Sequence, residues 1–373
     1  MRVLHVYKDY FPVLGGIENH IKVLAEAHAA AGHQVTVLVC AVGSHTRVEE
    51  LNGVRVIKAG RLATVASMPL SVSQLLILSR LQADVVHIHS PYPLGELANW
   101  LLGRAPATII THHSDIVRQA GWLRLYGPLL RRILSRADRI IATSPRYIDT
   151  SPWLRPVRDR CVVVPLGVDH RRFTPPPSPF DGPPTVLFVG RLRYYKGVDT
   201  LLRALQDLPD VCLNIVGDGP MRDRWEALAV ALDLTGRVRF LGEVEDNRLP
   251  SLYHQAHLFV LPANARAEAF GTVLLEAMAS GLPCVTTEVG TGTSWVVQDG
   301  ITGLVVPPDD PVALAEAVRW LLSRPRLRME MGRRGRERVE ARFTLDRMIG
   351  TVARIYEDVL DRRVGGHPLV TLL

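Results

Sequence analysis

Polar and apolar positions along the chain fall into two alternating rhythms. Short, largely apolar runs bounded by Gly, Pro, Asp or Ser predict strands. In the first half these are Val3–Val6, Val35–Cys40, Asp84–His89, Thr108–Thr111, Arg139–Ala142 and Cys161–Pro165. In the second half they are Thr185–Gly190, Val211–Gly217, Val238–Leu241, Leu258–Leu261 and Pro283–Thr286. Between them, apolar residues at three- and four-residue spacing predict helices over Ile17–Ala31 (stopped by Gly32), Asp199–Leu205, Trp225–Leu232 and Thr272–Ala279. A last helix is expected over about Leu345–Asp361, with Val364–Leu373, which carries Gly365-Gly366, fraying beyond it. Strands this apolar are covered on both faces, so the fold class is α/β with parallel sheets between helices.

One stretch breaks the rhythm. Residues 174–184 hold six prolines in eleven positions, which neither pair in a sheet nor continue a helix. A semi-rigid linker there predicts two doubly wound, Rossmann-like domains, residues 1–173 and 185–344, with 345–373 as a C-terminal helix and tail. Ligands of such sheets bind at the carboxyl ends of strands, and a cleft between the domains is the expected place.

Composition narrows the class. At 373 residues, 47% hydrophobic and 22% charged, the chain is neither disordered nor fibrous. No apolar run approaches the ~18 residues that span a bilayer. Met1–Val6 leads into a run too short for a secretory signal, so a cytoplasmic protein is expected. Cys40, Cys161, Cys212 and Cys284 are far apart in apolar runs and read as buried thiols. The net charge of +7 suits a phosphorylated substrate, nucleic acid or an anionic membrane. Scattered arginines and the absence of a nucleic-acid motif argue against nucleic acid. With no Gly-x-Gly-x-x-Gly after the first strand, a nicotinamide dehydrogenase is disfavoured.

Several segments carry chemistry. Gly15-Gly16 precedes a helix, where free backbone amides can meet an anion; a plain strand–helix turn uses the same residues. Arg191 and Lys196 come just off a strand end, where two cations would neutralise a leaving diphosphate, or form a solvated basic loop. Gly217, in Gly217-Asp-Gly-Pro220, allows a base or ribose close to the backbone, or serves a tight turn. Glu268 lies in a loop, Gly271 opens a helix, and Glu276 sits among Val273, Leu274, Leu275, Ala277 and Met278. A carboxylate so placed needs a partner: ribose hydroxyls, or a structural cation. His87 and His89 share a strand face and could ligate a metal, but no well-spaced carboxylate or Asp-x-Asp accompanies them. No metal is expected, and His89 reads as lining the site. Residues 121–136 are basic and amphipathic; they suit an anionic leaflet or a helix packed on its own sheet.

In order and spacing these segments resemble the retaining GT-B glycosyltransferases of family 4 nearly end to end. The resemblance rests on Gly15-Gly16-Ile-Glu18, Asp84-Val-Val-His-Ile-His-Ser90, Thr111-His-His-Ser-Asp115, Val164-Pro-Leu-Gly-Val-Asp169 with Phe173, Gly190-Arg-Leu to Lys196-Gly197, Gly217-Asp-Gly-Pro220, Glu268 with Glu276, and Gly300-Ile-Thr-Gly-Leu304. It implies a GT-B fold: an N-terminal domain that binds the acceptor, a C-terminal domain that binds a nucleotide sugar, and a last helix crossing back to the first domain. Arg191 and Lys196 would hold the diphosphate, Glu276 the ribose and Glu268 the transferred sugar. Phe270 and Gly271 would offer backbone donors, and Thr272, Val273 and Leu274 continue the donor-binding stretch, with Gly217 beside it. His113 matches the family's active-site histidine, with His112 its competitor. Gly16 would approach the diphosphate and acceptor, and Gly15, Glu18 and His89 lie on the acceptor side. No cofactor is implied beyond a GDP- or UDP-linked co-substrate, and a glycan or lipid-linked glycan is the implied partner.

Gly290-Thr-Gly-Thr-Ser-Trp295 departs from the family's common Gly-Gly-x-x-Glu, leaving no acid at that spot. With Ser114–Gln119 it resembles bacterial mannosyl- and rhamnosyltransferases that build surface polysaccharide. That favours GDP-mannose, with Glu243 and Glu245 candidates to read guanine. The alternatives are a nucleotide-sugar epimerase of the same architecture and, in a different class, a non-enzymatic nucleotide- or nucleic-acid-binding protein.

Overall fold

The structure is a computed structural model that describes residues 1–13, 15–65, 68–116 and 120–365. By its internal packing the chain divides into two units. One is Met1–Val164 with the chain from Met348 onward, and the other is Pro165–Arg347.

The first unit holds an eight-stranded sheet. Its order is Cys161–Val163, Arg139–Ala142, Ala107–His112, Val85–Ser90, Arg2–Val6, Gln34–Cys40, Val54–Ala59 and Arg47–Leu51. Every pairing is parallel except the last, an antiparallel edge hairpin. The expectation of parallel strands alone missed this hairpin. Its signal is Asn52-Gly53, whose positive φ values of 49° and 77° suit a two-residue loop between twisted strands.

The second unit holds a six-stranded, wholly parallel sheet. Its order is Val238–Gly242, Cys212–Val216, Thr185–Val189, Leu258–Leu261, Cys284–Thr287 and Gly303–Val306. Both sheets are doubly wound: chain order reverses between Arg2–Val6 and Val85–Ser90 in the first, and between Thr185–Val189 and Leu258–Leu261 in the second. At such a switch point the loops leaving adjacent strands diverge and open a crevice at the strand ends. Each strand expected from the sequence is found, with its ends shifted by at most two residues. The strand Gly303–Val306 and the helices Pro311–Leu322 and Pro325–Arg342 complete the second unit.

The proline-rich stretch packs with the second unit. The division falls at Val164/Pro165, and residues 174–184 belong to the second unit. Val168 and Phe173 are buried in its core, with the Phe173 ring edge-on to Tyr253 at 5.7 Å. His254 Nε2 lies 2.7 Å from the Thr174 carbonyl oxygen, and Phe180 packs on His257. Proline stiffness here shapes a strap held by side chains, where composition alone suggested a spacer.

The final helix runs Leu345–Gly365, and from Met348 it groups with the first unit. The tail expected to fray lies outside the described residues from Gly366, as do Val117–Gln119 of the Ser114–Gln119 motif. All four cysteines are free; Cys40 and Cys284 are buried, but Cys161 and Cys212 are only partly so. In the helix Ala120–Arg136, Leu130, Ile133 and Leu134 are buried while Arg131, Arg132 and Arg136 are exposed. That part of its apolar face is therefore spent on the unit's own core. No helix among the described residues is long and apolar enough to cross a membrane.

Candidate active site

Each switch point carries a cluster of functional groups. In the second unit, Lys196 ends a short turn after Thr185–Val189, and Glu268 lies in the loop after Leu258–Leu261. The two strands are neighbours, and the structure joins these residues in a buried ion pair, Lys196 Nζ to Glu268 Oε2 at 2.6 Å. Burial alone would lower the Lys196 pKa, but Glu268, Tyr195 and Glu276 together hold it above the usual lysine value. The ammonium therefore stays protonated. A buried pair is a weak stability device, because desolvating two ions offsets much of their attraction. Two fixed opposite charges at a strand end are better explained by the work they can do on a ligand. Arg191, from the same loop as Lys196, is exposed, and its guanidinium has no ion pair among the described residues.

Glu276 lies on the helix Thr272–Ala279, whose Leu274, Leu275, Ala277 and Met278 are buried. Its carboxylate is partly buried and accepts a hydrogen bond from the Tyr253 hydroxyl at 2.8 Å. Burial pushes its pKa up to about 7, against the pull of the Tyr253 bond and of Arg172 and Lys196. Sequence reading missed Tyr253, which lies on the separate helix Leu249–His254. The helix Thr272–Ala279 opens on Gly271 in the left-handed region, φ 78°, with no side-chain cap. Its first-turn amides are thus not taken up by a cap and can face an anion. Phe270 is buried against Trp295 and Phe343, so only its backbone can serve a ligand. Thr272 and Val273 are partly exposed, whereas Leu274 is fully buried.

Three further candidates are Gly217, Glu243 and Glu245. Gly217 has φ +117°, and a Cβ there would lie 2.2 Å from the Gly190 carbonyl oxygen. The chain's own loop therefore demands the glycine. Glu243 and Glu245 are exposed beyond Val238–Gly242, two strands away from Thr185–Val189 in the sheet. The structure does not bring them to Lys196 and Glu268.

In the first unit the helix Gly16–Ala30 follows Gly15, again with no side-chain cap. A Cβ at Gly16 would meet nothing within 4 Å, so the fold itself does not require glycine there. At Gly15 a Cβ would come within 2.1 Å of Glu18 Oε2, placing that first-turn carboxylate over the helix start.

Behind this helix lies a row of buried histidines. In the parallel register His5 is beside His87, and His89 beside Thr111. His113 Nε2 is 3.0 Å from His89 Nδ1, and His89 Nε2 is 3.0 Å from His5 Nδ1. His87 is held separately, by the Tyr356 hydroxyl and by Thr111 Oγ1, each at 2.6 Å. His20 packs edge-on against His113 at 5.0 Å. Burial lowers the pKa of His5, His87, His89 and His113 well below the ordinary value, and that of His20 to about 4. The cluster is uncharged at neutral pH. His5, His87 and His89 form one group, and His20, His89 and His113 another, whose ring nitrogens lie within 4.8 Å of each other and could hold a metal ion. In one dimension His87 and His89 show only nearby carboxylates, while His5 and His20 reach them from another strand and a helix. His112, the competitor of His113, points elsewhere: its Nε2 is 3.0 Å from Asp115 Oδ1, which also accepts from the Ser151 hydroxyl.

Comparison with known proteins accounts for both halves. The family model of the group 1 glycosyl transferases matches residues 170–338, and that of glycosyltransferase family 4 matches residues 14–172. A D-rhamnosyltransferase of Pseudomonas aeruginosa is 40% identical over 354 residues, covering 92% of each chain. An O-antigen chain mannosyltransferase of Escherichia coli is 34% identical over 380 residues, covering 97% of this chain and all 100% of that one. Sucrose-phosphate synthase from Thermosynechococcus elongatus matches in structure with a TM-score of 0.82 at 26% identity, over 96% of this chain and 98% of that one. The chain belongs to the glycosyltransferases of family 4 and group 1, and its fold is GT-B.

Proposed function

We propose that the protein transfers mannose, or a deoxymannose, from its GDP-linked donor to a hydroxyl of a glycan or lipid-linked glycan during surface-polysaccharide synthesis, with retention of anomeric configuration. The carrying observation is the buried Lys196–Glu268 pair at the second switch point, with Glu276 and an uncapped helix start on the same loop–helix segment. The D-rhamnosyl and mannosyl activities named for the two relatives agree with the sugar, since D-rhamnose is 6-deoxymannose.

In this reading Lys196 and Arg191 neutralise the diphosphate as the bond from the anomeric carbon to its phosphate oxygen breaks. Losing one such preorganised charge costs on the order of 3 kcal/mol of transition-state stabilisation. Glu276 accepts the ribose hydroxyls, and Glu268 holds the transferred sugar. The first-turn amides behind Gly271 and Gly16 face negative charge, with Phe270, Thr272 and Val273 contributing backbone. His113 and His89 line the acceptor side with Gly15 and Glu18. The acceptor oxygen attacks from the face the phosphate leaves, and its proton passes to the departing phosphate oxygen. No metal is required, because the two side-chain cations supply the charge. Any peripheral contact with an anionic leaflet would use the exposed Arg131, Arg132 and Arg136, without inserting the buried Leu130, Ile133 and Leu134.

The test is a donor panel of GDP-mannose, GDP-rhamnose, UDP-glucose and UDP-N-acetylglucosamine, assayed with extracted lipid-linked glycans. Transfer from a GDP-linked donor is expected. Transfer from UDP-linked donors alone would overturn the donor, and an epimerised sugar released without acceptor would overturn the reaction.

A further inference from the structure

The histidine row has a direction. A neutral imidazole carries one N–H and one lone pair, so the bonds His5–His89 and His89–His113 admit only two consistent arrangements. In one, His5 Nδ1–H donates to His89 Nε2, and His89 Nδ1–H donates to His113 Nε2. His113 then keeps its proton on Nδ1. In the other, every donor and acceptor is exchanged, and His113 Nδ1 is a bare lone pair.

The far end of the row decides between them. His5 is fully buried, and its Nε2 has no hydrogen-bond partner among the described residues. The second arrangement would put an N–H there with nothing to receive it. Buried N–H groups left without a partner are less common than buried lone pairs left unused. The first arrangement leaves only a lone pair. His20, which covers the row edge-on, cannot bias it by charge, since it is neutral too.

We infer that His5 and His89 are positioning residues that fix the proton of His113 on Nδ1, so that His113 meets its ligand as a hydrogen-bond donor and not as a base. The inference rests on the reading of His113 as an active-site group. It assigns the donor a target of stated chemistry, an uncharged or anionic oxygen of the sugar or acceptor. It also agrees with a same-face reaction in which the acceptor proton leaves on the phosphate and no protein base is needed.

The experiment is nitrogen-15 NMR of the full chain labelled at histidine, with the His113 signals assigned by their loss in His113→Gln. Wild type is expected to show a protonated Nδ1 and an unprotonated Nε2 at His113. A protonated Nε2 overturns the inference. His5→Phe removes the donor at the start of the row; His113 should then populate both tautomers, and GDP release from GDP-mannose should fall tenfold or more. His5→Asn, whose amide N–H can replace the imidazole Nδ1–H, should restore both. An unchanged tautomer and rate in His5→Phe would contradict the positioning role. If His113→Gln keeps the wild-type rate, His113 is outside the reaction and the donor role falls with it, whatever the tautomer.

Discussion

Glu276 sets stability against binding, and replacing it by Gln should separate the two. In the fold its carboxyl titrates at about 7, against 4.5 unperturbed, because burial on an apolar helix disfavours the ion. The raised value means that the folded state holds this proton more tightly than the unfolded chain. Its contribution to stability is therefore fully present below pH 4.5 and is lost as pH rises through 7. The difference of 2.5 between those two values, at about 1.36 kcal/mol per unit, sets an upper bound of roughly 3.4 kcal/mol above pH 7. The carboxylate is only partly buried, so about 1–3 kcal/mol is the working figure. Gln keeps the shape and still accepts from the Tyr253 hydroxyl through its carbonyl. At pH 8, ligand-free Glu276→Gln should melt about 2–12 °C above wild type, at roughly 2–4 °C per kcal/mol for a domain of this size. At pH 5 the gap should nearly close. The same variant loses a charge-assisted acceptor of ribose hydroxyls, each such bond being worth roughly 1.5–3 kcal/mol, so GDP should bind about ten- to a hundredfold more weakly. Differential scanning calorimetry at the two pH values and titration calorimetry with GDP read both effects. A gap that does not change with pH would refute the burial argument, and an unaltered GDP dissociation constant would refute the ribose contact.

Arg191→Ala and Lys196→Ala should each lower turnover about a hundredfold or more, but only Lys196→Ala should lower the melting temperature, because it strands Glu268 as a buried charge at roughly 3–5 kcal/mol. Turnover within a few-fold of wild type for both would remove the diphosphate contact. GDP should raise the melting temperature more than UDP at equal concentration, and Glu243→Ala or Glu245→Ala should narrow the gap; equal stabilisation by UDP overturns the base assignment. Activity should survive excess EDTA; loss restored by magnesium or manganese would contradict the side-chain-cation account, and restoration by zinc would direct attention to His20, His89 and His113.

Much of this architecture was legible because parallel, doubly buried strands are continuous apolar runs with little ambiguity. The hairpin at Asn52-Gly53 was legible too, but its outer strand Arg47–Leu51 is mostly exposed and polar, and so escaped a search for apolar runs. Six prolines state stiffness but say nothing about what Phe173 and Phe180 pack against. Among site residues, Glu276 could be found because charge on an apolar helix is conspicuous in one dimension, and Lys196 and Glu268 because they fall at strand ends in the order the family pattern gives. Their pairing could not, since Lys196 and Glu268 meet only where two strands distant in sequence lie side by side. The histidine row shows the same limit. His87 and His89 declare themselves by alternation, whereas His5, His20 and Tyr356 join them from another strand and two helices. Gly217 illustrates the converse: a motif glycine whose conformation is required by Gly190 of its own chain.

The most direct test of the central claim is the configuration of the new linkage. Purified protein, GDP-mannose and a panel of lipid-linked mannosides and rhamnosides would be followed by proton NMR at the anomeric position from the first minutes of reaction. The account predicts an α-linked product formed from the α-linked donor, with GDP appearing in equal amount, and about a hundredfold less product from Lys196→Ala under the same conditions. A β-linked product, or free sugar formed without any acceptor-linked product, would contradict it.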